Sequence, residues 1–163
     1  MIRTILVALD GSARAPGVFG RAAEMAALLG AMLHPFRAIF VPPEFPAAAA
    51  GTRADPLPAR LTQRAYDDLA DVMSQVPSGT VTLAPPIVRV GQPWRLIIDV
   101  SDEIDADLIV LGSHGYHGFD RVLGTTAARV ANMAHRDVLV VHERADGSRE
   151  RDTARPPPYR QRA

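Results

Sequence analysis

The chain has 163 residues, 47% of them hydrophobic and 22% charged, which describes one ordinary globular domain burying roughly two-thirds of its unfolded surface. A formal net charge of zero gives no basic field to draw it to nucleic acid or an acidic membrane. There is no cysteine, so disulfides and thiol chemistry are excluded; all 18 basic residues are arginine, so a lysine-dependent phosphate grip is excluded too.

Residues 2–9 read as a first strand, apolar and β-branched, entered at once with no charged leader and no cleavage pattern. With no apolar run near the ~18 residues a bilayer requires, this predicts a cytoplasmic location and no membrane partner. Asp10-Gly11-Ser12 marks a tight turn, with Ser12 or Asp10 as a cap for the next helix. That helix spans 13–29, places Val18, Ala22, Met25, Ala26 and Leu29 at helical spacing, admits Pro16 only in its first turn and closes at Gly30.

Strand character returns over 32–41, with Pro35 near its start and Pro42-Pro43 as a stop. Residues 44–58 set no period and read as a connection lying over a site. A second helix over 59–76 carries Leu61, Ala65, Leu69, Val72, Met73 and Val76 on one stripe. A third strand over 81–90 is interrupted by Pro85-Pro86, which places it at the sheet edge. Pro93 opens a third helix carrying Trp94, Ile97, Ile98 and Ile104.

Leu108 to Leu111 is an unbroken apolar run, the pattern of a strand covered on both faces. Glycines follow at 112, 115 and 118, and Gly124 precedes Thr125-Thr126 and a helix running to about Ala134. Strand, glycine loop and helix start together make a phosphate site: glycine admits close backbone approach, and the helix offers unpaired N–H groups and a positive dipole end. Residues 137–142 form a last strand. Residues 1–143 thus form the domain, and 144–163, polar and proline-rich, read as a disordered tail.

Strands alternating with helices imply one doubly wound α/β fold: a five-stranded parallel sheet, helices on both faces, right-handed crossovers. Ligands of such sheets sit beyond the C-terminal strand ends where the winding reverses. Asp10 and the loop from Gly112 to Gly118 then flank one crevice.

Three blocks carry a family resemblance. Val7-Ala8-Leu9-Asp10-Gly11-Ser12, Ala106 to Gly115 (Ala-Asp-Leu-Ile-Val-Leu-Gly-Ser-His-Gly) and the strand Val138 to Val141 resemble, in order, the opening, central and closing motifs of the universal stress protein family over residues 1–142. The likeness implies strand order 3-2-1-4-5, a homodimer paired through Val138–Val141 at the sheet edge, and a stress-response role. It also implies ATP or a related adenine nucleotide (ADP or AMP), with or without Mg²⁺. The family's nucleotide motif is Gly-x2-Gly-x9-Gly-[Ser/Thr]. Gly112 and Gly115 match its first half, whereas eight residues rather than nine separate Gly115 from Gly124. Either Gly124-Thr125 fills the Gly-Ser place with a tighter loop, or Thr125-Thr126 does so without the glycine. Carried over residue by residue, Asp10 meets the adenosine and Ala38 lines the base pocket; Leu111, Gly112, His114, Gly115, Gly118, Gly124, Thr125 and Thr126 complete the binding set.

Each of these residues also has a plainer reading: the loop as a tight connection, Asp10 as a helix cap, the threonines as caps, Trp94 and Tyr116 as core and rim. Arg121 or Arg129 could neutralise phosphate or simply stand on an exposed helix face. Ser113, His114 and Asp10 do not make a hydrolase, since adjacent loop residues rarely face one another and no Gly-x-Ser-x-Gly is present. His114 and His117 lack carboxylates at ligand spacing. With no general base placed, hydrolysis of ATP is at most slow. The rival reading is a dimeric interaction module of the same fold that binds no nucleotide.

Overall fold

The structure, a computed structural model, describes residues 1–41, 57–113 and 125–142. Their elements in chain order are β1 (Thr4–Ala8), α1 (Ala15–Leu29), β2 (Met32–Ile39), α2 (Leu57–Ser74), β3 (Thr82–Leu83), β4 (Ile87–Val90), α3 (Pro93–Glu103), β5 (Leu108–Gly112), α4 (Thr125–Met133) and β6 (Asp137–Val141). Every strand pairing is parallel, and the sheet runs β3-β2-β1-β5-β6 with β4 also paired to β2. The α/β doubly wound fold and its strand order are as expected, with one refinement. The third strand is two short ones, because Pro85-Pro86 cannot donate to a ladder.

The break is matched from inside. Pro35 lies within β2, fully buried and in register with Val7. Phe36 O accepts from Leu9 N–H on the β1 side, whereas Leu33 O accepts from Ala84 N–H on the other. Alternation therefore turns Pro35 toward β3 and β4, and its missing donor faces the gap between them. A proline in an interior strand is tolerated because its partner strand is interrupted at the same level.

Both sheet faces are covered, which is why β1 and β5 show no polar alternation. On the first face Ile5, Val7, Leu33 and Val110 pack with Phe19 and Ala22 of α1 and Leu69 of α2. On the second, Leu6, Phe36, Ile109 and Leu111 pack with Ile97 and Val100 of α3 and Ala127 and Val130 of α4. Each fully buried Leu, Ile or Phe adds about 1.5–3 kcal/mol relative to exposure. Gly30 ends α1 in the left-handed region at φ 63°, with Ala31 N–H closing onto Ala26 O at 2.9 Å. No described helix is long and apolar enough to cross a membrane. The expected tail and most of the connection over 44–58 lie outside the described residues.

The N-terminal end of the sheet is stitched by Asp107. One carboxylate oxygen accepts from Arg3 N–H at 2.7 Å and Thr4 N–H at 3.0 Å, and these bonds hold its pKa below the usual carboxylate value. At the same end Arg136 bridges Asp102 (3.2 Å) and Asp105 (2.8 Å), joining the last turn of α3 and the turn after it to the turn before β6. Asp105 itself sits at φ 50°.

Candidate functional site

Ala8 and Leu111 are register partners at the C-terminal ends of β1 and β5. The helix after β1 covers the first face and the helix after β5 the second. The winding thus reverses between these two strands, the place where doubly wound sheets take their ligands.

Asp10 lies just beyond β1. Its Oδ1 accepts from Ser12 N–H at 3.1 Å and from the Ser12 hydroxyl at 2.5 Å, closing a turn two residues wide. Neither residue caps α1 as expected: Arg14 is the N-cap, without a side-chain bond, and Ser12 Oγ accepts instead from Arg14 N–H at 3.3 Å. Asp10 therefore shapes the turn and stands at the crevice rather than serving the helix.

Arg37 was not anticipated at the site. It is a charged residue in β2 whose Nη1 donates to Asp68 of α2 at 2.5 Å, with its side chain 18% exposed. A Cβ on Gly11 would lie 2.5 Å from Arg37 Nη2, so the guanidinium rests against the turn only because residue 11 is glycine. Asp10, Gly11 and Ser12 form one wall, and Arg37, Arg64 and Asp68 another, of an open cleft of about 290 Å³ on the first face. The sequence signal for Arg37 was an arginine inside a mostly apolar strand, immediately before Ala38.

Ala38 and Leu111 fall on the second face. Leu111 is buried in that core, and half-buried Ala38 and Ala8 pack against it. These short side chains stand half-buried at the strand ends and leave room above them. Gly112 has a packing role as well, since a Cβ there would meet Val18 Cγ2 of α1 at 3.0 Å. Ser113 N–H continues the ladder to Val141 O at 2.9 Å.

Thr125 and Thr126 are the first described residues of α4, which seats on the second face through Ala127 and Val130. His114, Gly115, Gly118 and Gly124 lie outside the described residues. Asp10, Ala38, Leu111 and Gly112 thus lie at or just beyond the C-terminal ends of β1, β2 and β5, and Thr125 and Thr126 open α4. Among the described residues no group of three or more His, Asp or Glu could hold a metal ion.

The profile of the universal stress protein family matches residues 1–142. The chain belongs to the universal stress protein family. Universal stress protein A homolog 1 of Coxiella burnetii is 32% identical over 143 residues, covering 84% of this chain and 94% of that protein. The structure of universal stress protein UspA from Lactobacillus plantarum is similar at TM-score 0.65 and 28% identity, covering 86% of this chain and 97% of that one. A universal stress protein crystallised in complex with cAMP is similar at TM-score 0.58 and 28% identity, with the same coverage.

The donor set at this end suits a nucleotide. A carboxylate at Asp10 can accept from ribose hydroxyls, Ala8 and Ala38 offer an apolar bed for a base, and the start of α4 can meet phosphate with backbone N–H groups.

Proposed function

We propose that this universal stress protein binds ATP or a related adenine nucleotide in the crevice beyond β1 and β5, and that nucleotide state sets its affinity for a partner in a cytoplasmic stress response. The observation that carries the reading is the pairing of Ala8 with Leu111 at the reversal of winding, which puts Asp10 beside the strand that leads to the glycine loop. The cAMP complex of a 28% identical neighbour supports an adenine ligand. Adenosine is held by Asp10, Ala38 and Leu111; phosphates are held by Gly112, His114, Gly115, Gly118, Gly124, Thr125 and Thr126, with Mg²⁺ as counter-ion when a triphosphate is bound.

The test is to denature purified protein and chromatograph what it releases, then to titrate ATP, AMP and cAMP calorimetrically into nucleotide-free protein. Adenine nucleotide in the supernatant, or saturable binding of any of the three, supports the site. Absence of both assigns the chain to the dimeric module without a nucleotide.

The dimer is the second part of the proposal. β6 is the edge strand and is apolar from Val138 to Val141, a surface that invites pairing with a second copy. Val141 O faces β5, so alternation turns the N–H groups of Val138 and Val140 toward the open edge. Val140→Pro removes one outward donor while leaving the inner ladder intact. Light scattering should read two chains for wild type and one for the variant. A monomeric wild type would end the idea.

A further inference from the structure

Trp94, the only tryptophan in the chain, is the second residue of α3. It packs against the second core, the same core that Ala8 and Ala38 pack against, and α3 begins just after the C-terminal end of β4. Its indole Nε1 is buried and has no hydrogen-bond partner among the described residues. A buried donor left unmade is costly, and native structures rarely keep one without a use for it. The Arg129 guanidinium carbon lies 5.6 Å from the centroid of the same ring, within range of a cation–π contact. Arg129 stands one turn into α4 from Thr125, and no carboxylate among the described residues pairs with it. An exposed arginine is ordinarily mobile; this one stands over an aromatic ring at the seam between α3 and α4, with no carboxylate partner among the described residues.

We propose that Trp94 and Arg129 form a phosphate-reading wall of the nucleotide crevice, with the guanidinium, pinned on the indole, and the indole N–H both donating to a phosphate of the bound nucleotide. The inference rests on the adenine-nucleotide reading of the site. In a chain without lysine, arginine supplies the positive charge a triphosphate requires, and its planar fork suits phosphate oxygens. Pre-seating the side chain on Trp94 lowers the ordering cost of binding. Trp94 is here a ligand donor and also the residue that positions Arg129.

The lone tryptophan makes the site report on itself. ATP, AMP and adenosine are titrated into wild type, Arg129→Met, Arg129→Lys and Trp94→Phe, followed by calorimetry and, where the tryptophan is retained, by indole fluorescence. Wild-type fluorescence should change on addition of ATP. Arg129→Met should lose about tenfold in ATP affinity and Arg129→Lys should recover most of it, with adenosine affinity the same in all three. Trp94→Phe keeps a ring and loses the N–H, and should weaken ATP severalfold while leaving adenosine unchanged. If ATP binds wild type and Arg129→Met equally well, the pair is only a packing seam and the inference falls while the nucleotide site stands. If no nucleotide or nucleoside binds wild type, both fall together.

Discussion

Two aspartates mark the opposite ends of neighbouring strands. Asp107 precedes β5 and Asp10 follows β1, and both sit in motifs of similar strength in the sequence. Asp107 spends one oxygen on two backbone donors 104 and 103 residues away, tying the start of β1 to the start of β5. Asp10 spends Oδ1 on Ser12, two residues on. The first closes the tertiary structure; the second, through these bonds, shapes a local turn. The N-terminal end is further laced by Arg136 and its two aspartates. The C-terminal end instead has a cleft, a glycine kept for clearance and a buried indole N–H without a partner among the described residues. One end of the sheet is braced by these bonds, and the other is the end at which the proposed nucleotide would bind.

The largest expected effects come from exchanging the insults. Asp107→Ala removes the acceptor for two backbone donors, and the thermal midpoint should fall by several degrees with nucleotide affinity retained. Asp10→Asn keeps an oxygen for Ser12 and loses the charge. It should cost at least about tenfold in nucleotide affinity, roughly 1.4 kcal/mol, with the midpoint nearly unchanged. Differential scanning fluorimetry and calorimetric titration on both variants read the two effects. If either variant moved both quantities together, the division between the ends would be wrong.

Acid sharpens the same contrast. The folded-state pKa of Asp107 is depressed, chiefly by the bonds from Arg3 and Thr4 N–H, below its unfolded value of about 3.9. Its stabilising contribution is therefore complete above the unfolded pKa and is lost as pH falls through the lowered one. The gap in midpoint between wild type and Asp107→Ala should be constant above about pH 5 and close progressively below pH 4. A gap that stayed open in acid would mean that packing, not the carboxylate, accounts for it.

Much of the fold was legible because it rests on local rules. Unbroken apolar runs with interspersed amphipathic segments gave a parallel sheet covered on both faces, and Gly30 and Pro93 ended and opened their helices where glycine and proline do. Pro85-Pro86 announced an interrupted edge strand. That Pro35 turns its missing donor into that interruption could not be read, since the register between β2 and β3/β4 is a tertiary fact. The crevice was legible through Asp10 and Gly112, as end residues of strands predicted to be neighbours. Arg37 was not, because its contact with Gly11 and its pair with Asp68 join three elements. Nor was the meeting of Trp94 with Arg129, which stand on successive helices 35 residues apart in the chain.

Gly11 and Arg37 provide the finest test of where stability ends and binding begins. A methyl group on residue 11 would lie 2.5 Å from Arg37 Nη2, too close for both to stay. The obstructing atom is the tip of a long side chain, not backbone, so Gly11→Ala is relieved by a rotation of Arg37 rather than by moving a strand. That rotation gives up the bond to Asp68, a pair whose carboxylate side is 44% exposed and which therefore contributes only about 0–1 kcal/mol. The midpoint should fall by no more than about 2 °C, within what such a loss produces in a domain of this size. The displaced guanidinium then sits in the cleft beside Asp10, where nucleotide affinity should change by about threefold, or ~0.6 kcal/mol. A crystal structure of the variant should find Arg37 turned away from the turn. A midpoint drop of about 5 °C or more would instead make the Arg37–Asp68 pair a structural brace, and the C-terminal end would share the stabilising role assigned here to Asp107.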